Sequence, residues 1–343
     1  MTIAPATGEH AIGTSPPAID AVGLTKRFGD LEAVGDFTLR VSVGALCGLL
    51  GPDGAGKTTT IRMLATVLMP TSGDAYVLGH SVTREAGRVT PLIGYMPQKF
   101  SMYPDLTVAE NVDFFATIRG VPKAERRKRA PELLDRMGLG PFASRRAANL
   151  SGGMKQKLML ASVLMHSPSL LLLDEPTTGV DPVSRREFWE ILADLRAEGT
   201  TALVATPYMD EAERCTDLAF LDEGHIRYQG TPDEIKALVP GTLVEVHAPD
   251  PRAALMVLES APGVVGTHLF GDVVRVVCAQ TGPETLSALL AEAGIAATVL
   301  PAPVDMETAF ATIAEATSSP VETHEPTPSL VEPVETSAGR EAP

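Results

Sequence analysis

The sequence lacks the features that would put it across a membrane, in an oxidising compartment or on a nucleic acid. None of its apolar runs reaches the roughly 18 residues that a bilayer crossing requires; the best, Leu158 to Leu173, is interrupted by His166, Ser167 and Pro168. A chain that does not cross the membrane by itself is expected. The opening MTIAPATGEH has neither a basic stretch nor an apolar run behind it, so it does not read as a secretory signal. Cysteine is scarce and odd in number: Cys47, Cys215 and Cys278 lie far apart in apolar or helical stretches. That favours reduced packing residues in a cytoplasmic protein over a disulfide framework or a metal site. Basic charge is short as well, with 28 Lys and Arg against 43 Asp and Glu and a formal charge of −15. Such a balance argues against a general nucleic-acid binder, and the one basic run, Arg126-Arg-Lys-Arg129, reads as a solvated helix face.

What is present fills 343 residues, room for two domains, and a hydrophobic content of 44% is ordinary for a soluble globular protein. Residues 1–17, rich in Ala, Thr, Gly, Ser and Pro, read as a flexible arm, and residues 317–343, a repeat of Pro, Glu, Thr and Ser, as a disordered acidic tail. Residues 18–240 alternate short apolar strands with helical patterns, the signature of an α/β domain around a largely parallel sheet. Inside this unit, about 100–165 reads as a helical subdomain, with one helix interrupted by Pro131. Thr107-Val-Ala-Glu110 and Thr231-Pro-Asp-Glu234 are capping boxes, and Asp181-Pro182 starts a helix that Gly199 can end. In LVATPYMDEAE, Leu203 to Glu213, a buried strand runs into a helix: Thr206 suits the N-cap, Pro207 the first helical position, and Asp210 and Glu211 the acid-favouring first turn. Residues 241–316 read as an α+β module in βαββαβ, ferredoxin-like order with a last helix.

The strongest chemical signal is Gly51-Pro52-Asp53-Gly54-Ala55-Gly56-Lys57-Thr58, a full match to G-x-x-x-x-G-K-[ST] between an apolar strand and a helix. Glycines let the backbone wrap its N–H groups around phosphates at a helix N-terminus, Lys57 offsets β/γ-phosphate charge, and the Thr58 hydroxyl can ligate Mg²⁺. The bland alternative is a tight glycine turn. A nucleotide site also needs an acidic element, and Leu170-Leu-Leu-Leu-Asp174-Glu175 delivers two carboxylates at the C-terminal edge of a strand buried on both faces. Adjacent residues point opposite ways on a strand, so Asp174 would hold Mg²⁺ through water while Glu175 faces the attacking water as general base. A third element, Ser151-Gly152-Gly153-Met154, opens an apolar helix and offers free N–H groups to a second phosphate, or is a cap with unusual glycines. Two half-sites on one chain point to a site shared between two chains.

With these motifs in place, the chain resembles the ATP-binding subunit of an ABC transporter over about 18–240, with Walker A at 51–58, Walker B at 170–175 and the LSGGM signature. The resemblance implies a P-loop NTPase fold of the ABC type, ATP and Mg²⁺ as ligands, and ATP hydrolysis. It implies that Gln98, closing Leu92-Ile-Gly-Tyr-Met-Pro-Gln98, contacts Mg²⁺ and the nucleophilic water, that Thr178-Gly-Val-Asp181 is the D-loop, and that Thr59 joins the phosphate contacts. Phe28 falls where such proteins stack an aromatic on adenine, although the residue reads equally well as core. A head-to-tail dimer is implied, Ser151 to Met154 of one subunit closing on Walker A of the other. The single nucleotide-binding domain, the Thr107-Val-Ala-Glu-Asn111 helix start and the C-terminal module are similar to type-2 exporters of drugs and antibiotics, whose permease is a separate subunit. The expected place is the inner face of the cell membrane, with no nucleic acid involved.

Departures from the family pattern are informative. Asp53 and Met154 stand where Asn and Gln are usual. Pro207 stands where the family carries a histidine that hydrogen-bonds the γ-phosphate, and proline has no side-chain donor and no N–H. Tyr208 is the nearest substitute, if its phenol turns back toward the nucleotide. Two kinetic alternatives follow: an ATPase that relies on Glu175, or a subunit that binds ATP and turns it over very slowly. Outside transport, a soluble ATP-driven switch acting on a non-membrane assembly competes, as does a P-loop small-molecule kinase, which would not need the Ser-Gly-Gly turn.

Overall fold

The computed structural model describes residues 16–318, with side chains through 312. Apart from their inner ends, the arm expected over 1–17 and the tail expected over 317–343 lie outside the described residues.

The chain begins with an antiparallel hairpin, β1 (Ile19–Phe28) and β2 (Leu31–Val41), pairing Phe28 with Leu31 around a two-residue turn. After β3 (Leu46–Leu50) and α1 (Lys57–Leu64), strands β4 (Ser72–Val77) and β5 (His80–Ser81) join the hairpin in a four-stranded sheet of order β2-β1-β4-β5. This antiparallel sheet adds to the parallel one that the strand-and-helix alternation predicts. Its hairpin alternates buried and exposed residues from Phe37 to Val41, as a sheet with one solvated face does.

A short α2 (Ala86–Val89) leads to β6 (Ile93–Met96) and then to three helices, α3 (Val108–Ile118), α4 (Lys123–Arg136) and α5 (Gly152–Leu164). The Thr107 capping box at α3 forms as expected. Helix α4, in contrast to expectation, runs through Pro131 without a break. Pro131 and Arg127, whose carbonyl the proline leaves unpaired, are both exposed, so that carbonyl is open to solvent and its lost bond costs little.

Then come β7 (Leu170–Asp174), α6 (Pro182–Ala197), β8 (Thr201–Thr206), α7 (Met209–Ala212), β9 (Asp217–Asp222), β10 (His225–Gly230) and α8 (Pro232–Lys236). The central sheet has the order β10-β9-β3-β8-β7-β6, with every pair parallel except β10 with β9. Strands β3, β7 and β8 are buried at every position, because α1 and the antiparallel sheet cover one face while α5 and α6 cover the other. Their unbroken apolar runs are thus the sequence signature of burial on both sides. All parallel strands end on the same edge, and there the loops after β3, β6, β7 and β8 meet.

The remaining chain forms β11 (Thr242–His247), α9 (Pro251–Leu258), β12 (Val264–Phe270), β13 (Val273–Cys278), α10 (Pro283–Glu292), β14 (Thr298–Ala302) and α11 (Met306–Ser318). Its sheet is antiparallel in the order β12-β13-β11-β14, the arrangement a βαββαβ ferredoxin-like unit gives. It has a core of its own around Val244, Val276, Leu258 and Leu286. Helix α11 leaves that unit and packs against α7 and α8, with the Phe310 ring 4.6 Å from that of Phe220 on β9. Among the described residues no helix is long and apolar enough to cross a membrane.

Candidate active site

The loop between β3 and α1 is shaped by its glycines. Gly56, the residue before α1, has φ +102°, and a Cβ there would stand 2.4 Å from the Ala33 carbonyl oxygen. Only glycine allows that turn and that approach together. Lys57 is 4% exposed and folds its ammonium over its own loop, donating to the carbonyls of Gly51 at 2.8 Å and Pro52 at 2.9 Å. Burial lowers its pKa, while Glu175, Asp53 and Asp174 pull it back up. Pro52, Asp53 and Gly54 form the exposed rim of the loop, and Ala55 is buried beneath it.

At the end of β7 the two carboxylates diverge. Asp174 is fully buried and accepts the Thr58 hydroxyl at 2.9 Å. Its other oxygen, Oδ2, has no hydrogen-bond partner among the described residues. Burial is the main cause that pushes its pKa up, the Thr58 bond opposes it, and Glu175 adds to it. Glu175 leaves the strand in the left-handed region at φ +48° and donates its N–H to the Ala205 carbonyl at 2.9 Å. Its Oε2 accepts Gln98 Nε2 at 2.7 Å and the Thr178 hydroxyl at 3.1 Å, and Oε1 lies 3.9 Å from the Lys57 ammonium. Lys57, Thr58, Gln98, Asp174 and Glu175 therefore form one connected cluster, although the sequence scatters them over more than a hundred positions.

The orphaned Asp174 Oδ2 beside the Thr58 hydroxyl is an oxygen-donor pair suited to a hard divalent cation. No group of three or more His, Cys, Asp or Glu side chains among the described residues could hold a metal by itself. A cation here would therefore depend on phosphate oxygens and water for most of its shell.

Ser151, Gly152, Gly153 and Met154 lie apart from that cluster. Ser151 caps α5 by accepting the Met154 N–H at 3.3 Å, and a Cβ on Gly153 would stand 2.4 Å from Ser184 Cβ on α6. Asp181 caps α6 by accepting the Ser184 N–H at 2.9 Å. The signature turn and Asp181 thus share one helix-helix contact. Among the described residues no side-chain hydrogen bond joins them to Gly51–Thr59. Phe28, at the end of β1, is 50% exposed with the Lys26 ammonium 5.1 Å from its ring centroid, so it is not a core residue.

The end of β8 departs from the sequence expectation. Thr206 does not cap a helix and Pro207 is not its first residue: α7 starts two positions later, behind Tyr208, which makes no side-chain cap. The reason is competition for the Thr206 hydroxyl. It donates to Glu211 at 2.6 Å and accepts the Tyr208 N–H at 3.1 Å, closing a tight turn instead. Asp210 and Glu211 do occupy the first turn. The Tyr208 ring lies under the Arg185 guanidinium, 4.9 Å from its centroid. Glu211 and Thr177 were not legible as part of the site, and Thr178 was expected only as the start of the D-loop; the two hydroxyls directly behind Glu175-Pro176 are the one signal that could have drawn attention to that loop.

Comparison with known proteins agrees with this geometry. The family model described as ABC transporter matches residues 34–178. The probable multidrug ABC transporter ATP-binding protein YbhF of Escherichia coli (strain K12) is 47% identical over 221 residues, 64% of this chain but only 38% of that protein's length. The daunorubicin/doxorubicin resistance ATP-binding protein DrrA of Streptomyces peucetius is 41% identical over 258 residues, 74% of this chain and 78% of DrrA. Among solved structures, the dimeric post-hydrolysis state of the ATP-binding cassette MJ0796, bound to ADP and Pi, superposes with a TM-score of 0.57 at 26% identity, covering 62% of this chain and 98% of that one. A P-loop, two divergent carboxylates and a detached Ser-Gly-Gly turn, on a fold shared with such cassettes, leave one assignment: the chain belongs to the ATP-binding subunits of ABC transporters.

Proposed function

We propose that this chain hydrolyses ATP to drive a separate permease that exports a drug-like, antibiotic or lipid substrate, and that it works as a peripheral subunit on the inner face of the cell membrane. The observation that carries the reading is the single cluster of Lys57, Thr58, Gln98, Asp174 and Glu175 at the edge of the parallel sheet. The relatives' names, which speak of multidrug transport and of daunorubicin and doxorubicin resistance, support export over a switch on a non-membrane assembly.

In this reading 18–240 is the nucleotide-binding domain, with 100–165 as its helical part, and 241–316 is an accessory module. Residues Gly51 to Thr59 wrap the phosphates, and Phe28 offers its exposed face to adenine. Thr58, Asp174 and Gln98 hold Mg²⁺, which when bound neutralises phosphate charge. Glu175, already oriented by Gln98 and Thr178, takes the proton of the attacking water. Ser151 to Met154 and Asp181 complete the site of a second subunit in a head-to-tail dimer; within this chain their side chains are engaged in capping α5 and α6 rather than in bonds to the Gly51–Thr59 loop.

The test is steady-state ATP hydrolysis by the purified protein, with its permease, beside the Glu175→Gln and Ser151→Arg variants. Turnover in wild type that falls about a hundredfold or more in Glu175→Gln supports the reading. Ser151→Arg should remove turnover while ATP still binds; intact turnover there would sink the shared site. Wild-type turnover no higher than that of Glu175→Gln would instead favour a slow ATP-bound switch, the alternative that Pro207 brings into play.

A further inference from the structure

We propose that Glu211 is a positioning residue for this hydrolysis: its buried carboxylate clamps the loop behind Glu175 to the end of β8 and so holds Glu175 in place. The inference rests on the ATPase reading above and names a residue which that reading does not use.

Glu211 is 1% exposed, which is costly for a carboxylate unless its oxygens are satisfied. Each oxygen has its own donor. Thr177 donates to Oε1 and Thr206 to Oε2, both at 2.6 Å. The two threonines belong to different strand ends. Thr177 lies two residues beyond Glu175, and Thr206 is the last residue of β8. The Glu175 N–H spans the same gap to the Ala205 carbonyl, so the loop is pinned to β8 at two points. Among the described residues the other charged group facing the acid is Arg185 of α6, whose Nε is 3.9 Å from Oε1 and whose Nη2 donates to Asp210 at 2.8 Å.

Pinning matters because Glu175 has φ +48°, a conformation that a side chain other than glycine keeps only when its surroundings impose it. The next link is direct: Thr178, adjacent to Thr177, donates to Glu175 Oε2 beside Gln98. Release of Thr177 therefore frees Thr178, the backbone of Glu175 and its carboxylate together. Pro207 itself has no side-chain donor, and the Thr206 hydroxyl at the end of β8 is engaged by Glu211, so the order at this edge comes from the clamp.

The experiment measures kcat and KM for ATP in the full chain with its permease, for wild type, Glu211→Gln, Thr177→Val and Glu175→Gln, and for Glu211→Gln combined with Glu175→Gln. Thermal melting of each is followed alongside. A glutamine keeps the shape but turns one acceptor into a donor, so the two hydroxyls no longer both donate to it. Expected is a fall in kcat of about tenfold in Glu211→Gln with KM nearly unchanged, and a smaller fall in Thr177→Val. In the Glu175→Gln background the second substitution should lower the residual rate no further, because no base remains to misplace. Unchanged kcat in Glu211→Gln, or an equal loss in both backgrounds, would overturn the clamp and leave the ATPase reading standing. Wild-type turnover no higher than that of Glu175→Gln would overturn the ATPase reading and the clamp with it. Should Glu211→Gln fail to fold, Thr177→Val, which leaves the acid untouched, carries the same comparison.

Discussion

The ends of β7 and β8 are neighbours in one parallel sheet, paired from Leu170 with Thr201 to Asp174 with Ala205, yet they are built for different work. The β7 end presents Asp174 to Thr58 and Glu175 to Gln98 and Lys57. The β8 end presents Thr206, whose hydroxyl turns inward to Glu211, and Pro207, whose side chain carries no donor. Identical strand burial thus supports two ends of different chemistry. The difference lies in the two or three residues past each strand, where backbone groups leave the ladder and side chains decide.

The largest contrast between the two ends should come from Glu175→Gln. Loss of a general base costs about 10²- to 10⁴-fold in turnover, with ATP binding retained because the Gly51–Thr59 loop is untouched. Turnover within tenfold of wild type would move the chemistry away from β7. Pro207→His asks the complementary question at β8. A side-chain donor to a charged phosphate contributes about 1.5–3 kcal/mol, so the variant is expected to raise turnover, by at most about ten- to a hundredfold. Unchanged turnover would show that the β8 end is silent toward the nucleotide and only braces.

Much of this contrast was legible in the sequence where it depends on contiguous residues. The Gly51–Thr58 loop, the apolar run into Asp174-Glu175 and the two capping boxes each carry their whole signal within eight residues. The βαββαβ order of the C-terminal unit was legible for the same reason, since its strands are separated by marked turns and helix starts. Thr206 misled because its local capping chemistry was sound, and a partner within the same segment, Glu211, outbid the helix for its hydroxyl. Pro131 misled because the cost of an unpaired carbonyl depends on exposure, which the local pattern does not carry. The Thr177 to Glu211 bond joins residues 34 apart, and only the pairing of β7 with β8 brings them together.

A control far from both strand ends sharpens the comparison. Thr107→Ala removes the hydroxyl that accepts the Glu110 N–H at 3.2 Å at the start of α3. It should cost about 1 kcal/mol of stability, read as a melting shift of a few degrees. Turnover at temperatures well below melting should stay at the wild-type level. A fall comparable to that of Glu211→Gln would mean that turnover follows global stability, and the difference between the two strand ends would lose its meaning.

The smallest effect concerns the charge that β7 buries without a ligand. Burial raises the Asp174 pKa, and Thr58, Arg62 and Lys57 only partly offset it. An acid whose folded pKa is raised makes the protein less stable as pH climbs from the unfolded value, about 3.9, through the folded one; above both, the penalty is fully present. Asp174→Asn removes that penalty. The nucleotide-free variant should therefore melt slightly above wild type at neutral pH, and the gap should close as pH is lowered below about 4, where wild-type Asp174 is protonated in both states. With ATP and Mg²⁺ the order should reverse if, as proposed, Asp174 takes the cation on its unpartnered Oδ2. At β8 the corresponding buried acid, Glu211, already has a donor on each oxygen, so the same ligands should leave the effect of Glu211→Gln on melting unchanged. A wild type that melts above Asp174→Asn without nucleotide would show that the β7 carboxylate, like Glu211, is satisfied by the protein alone.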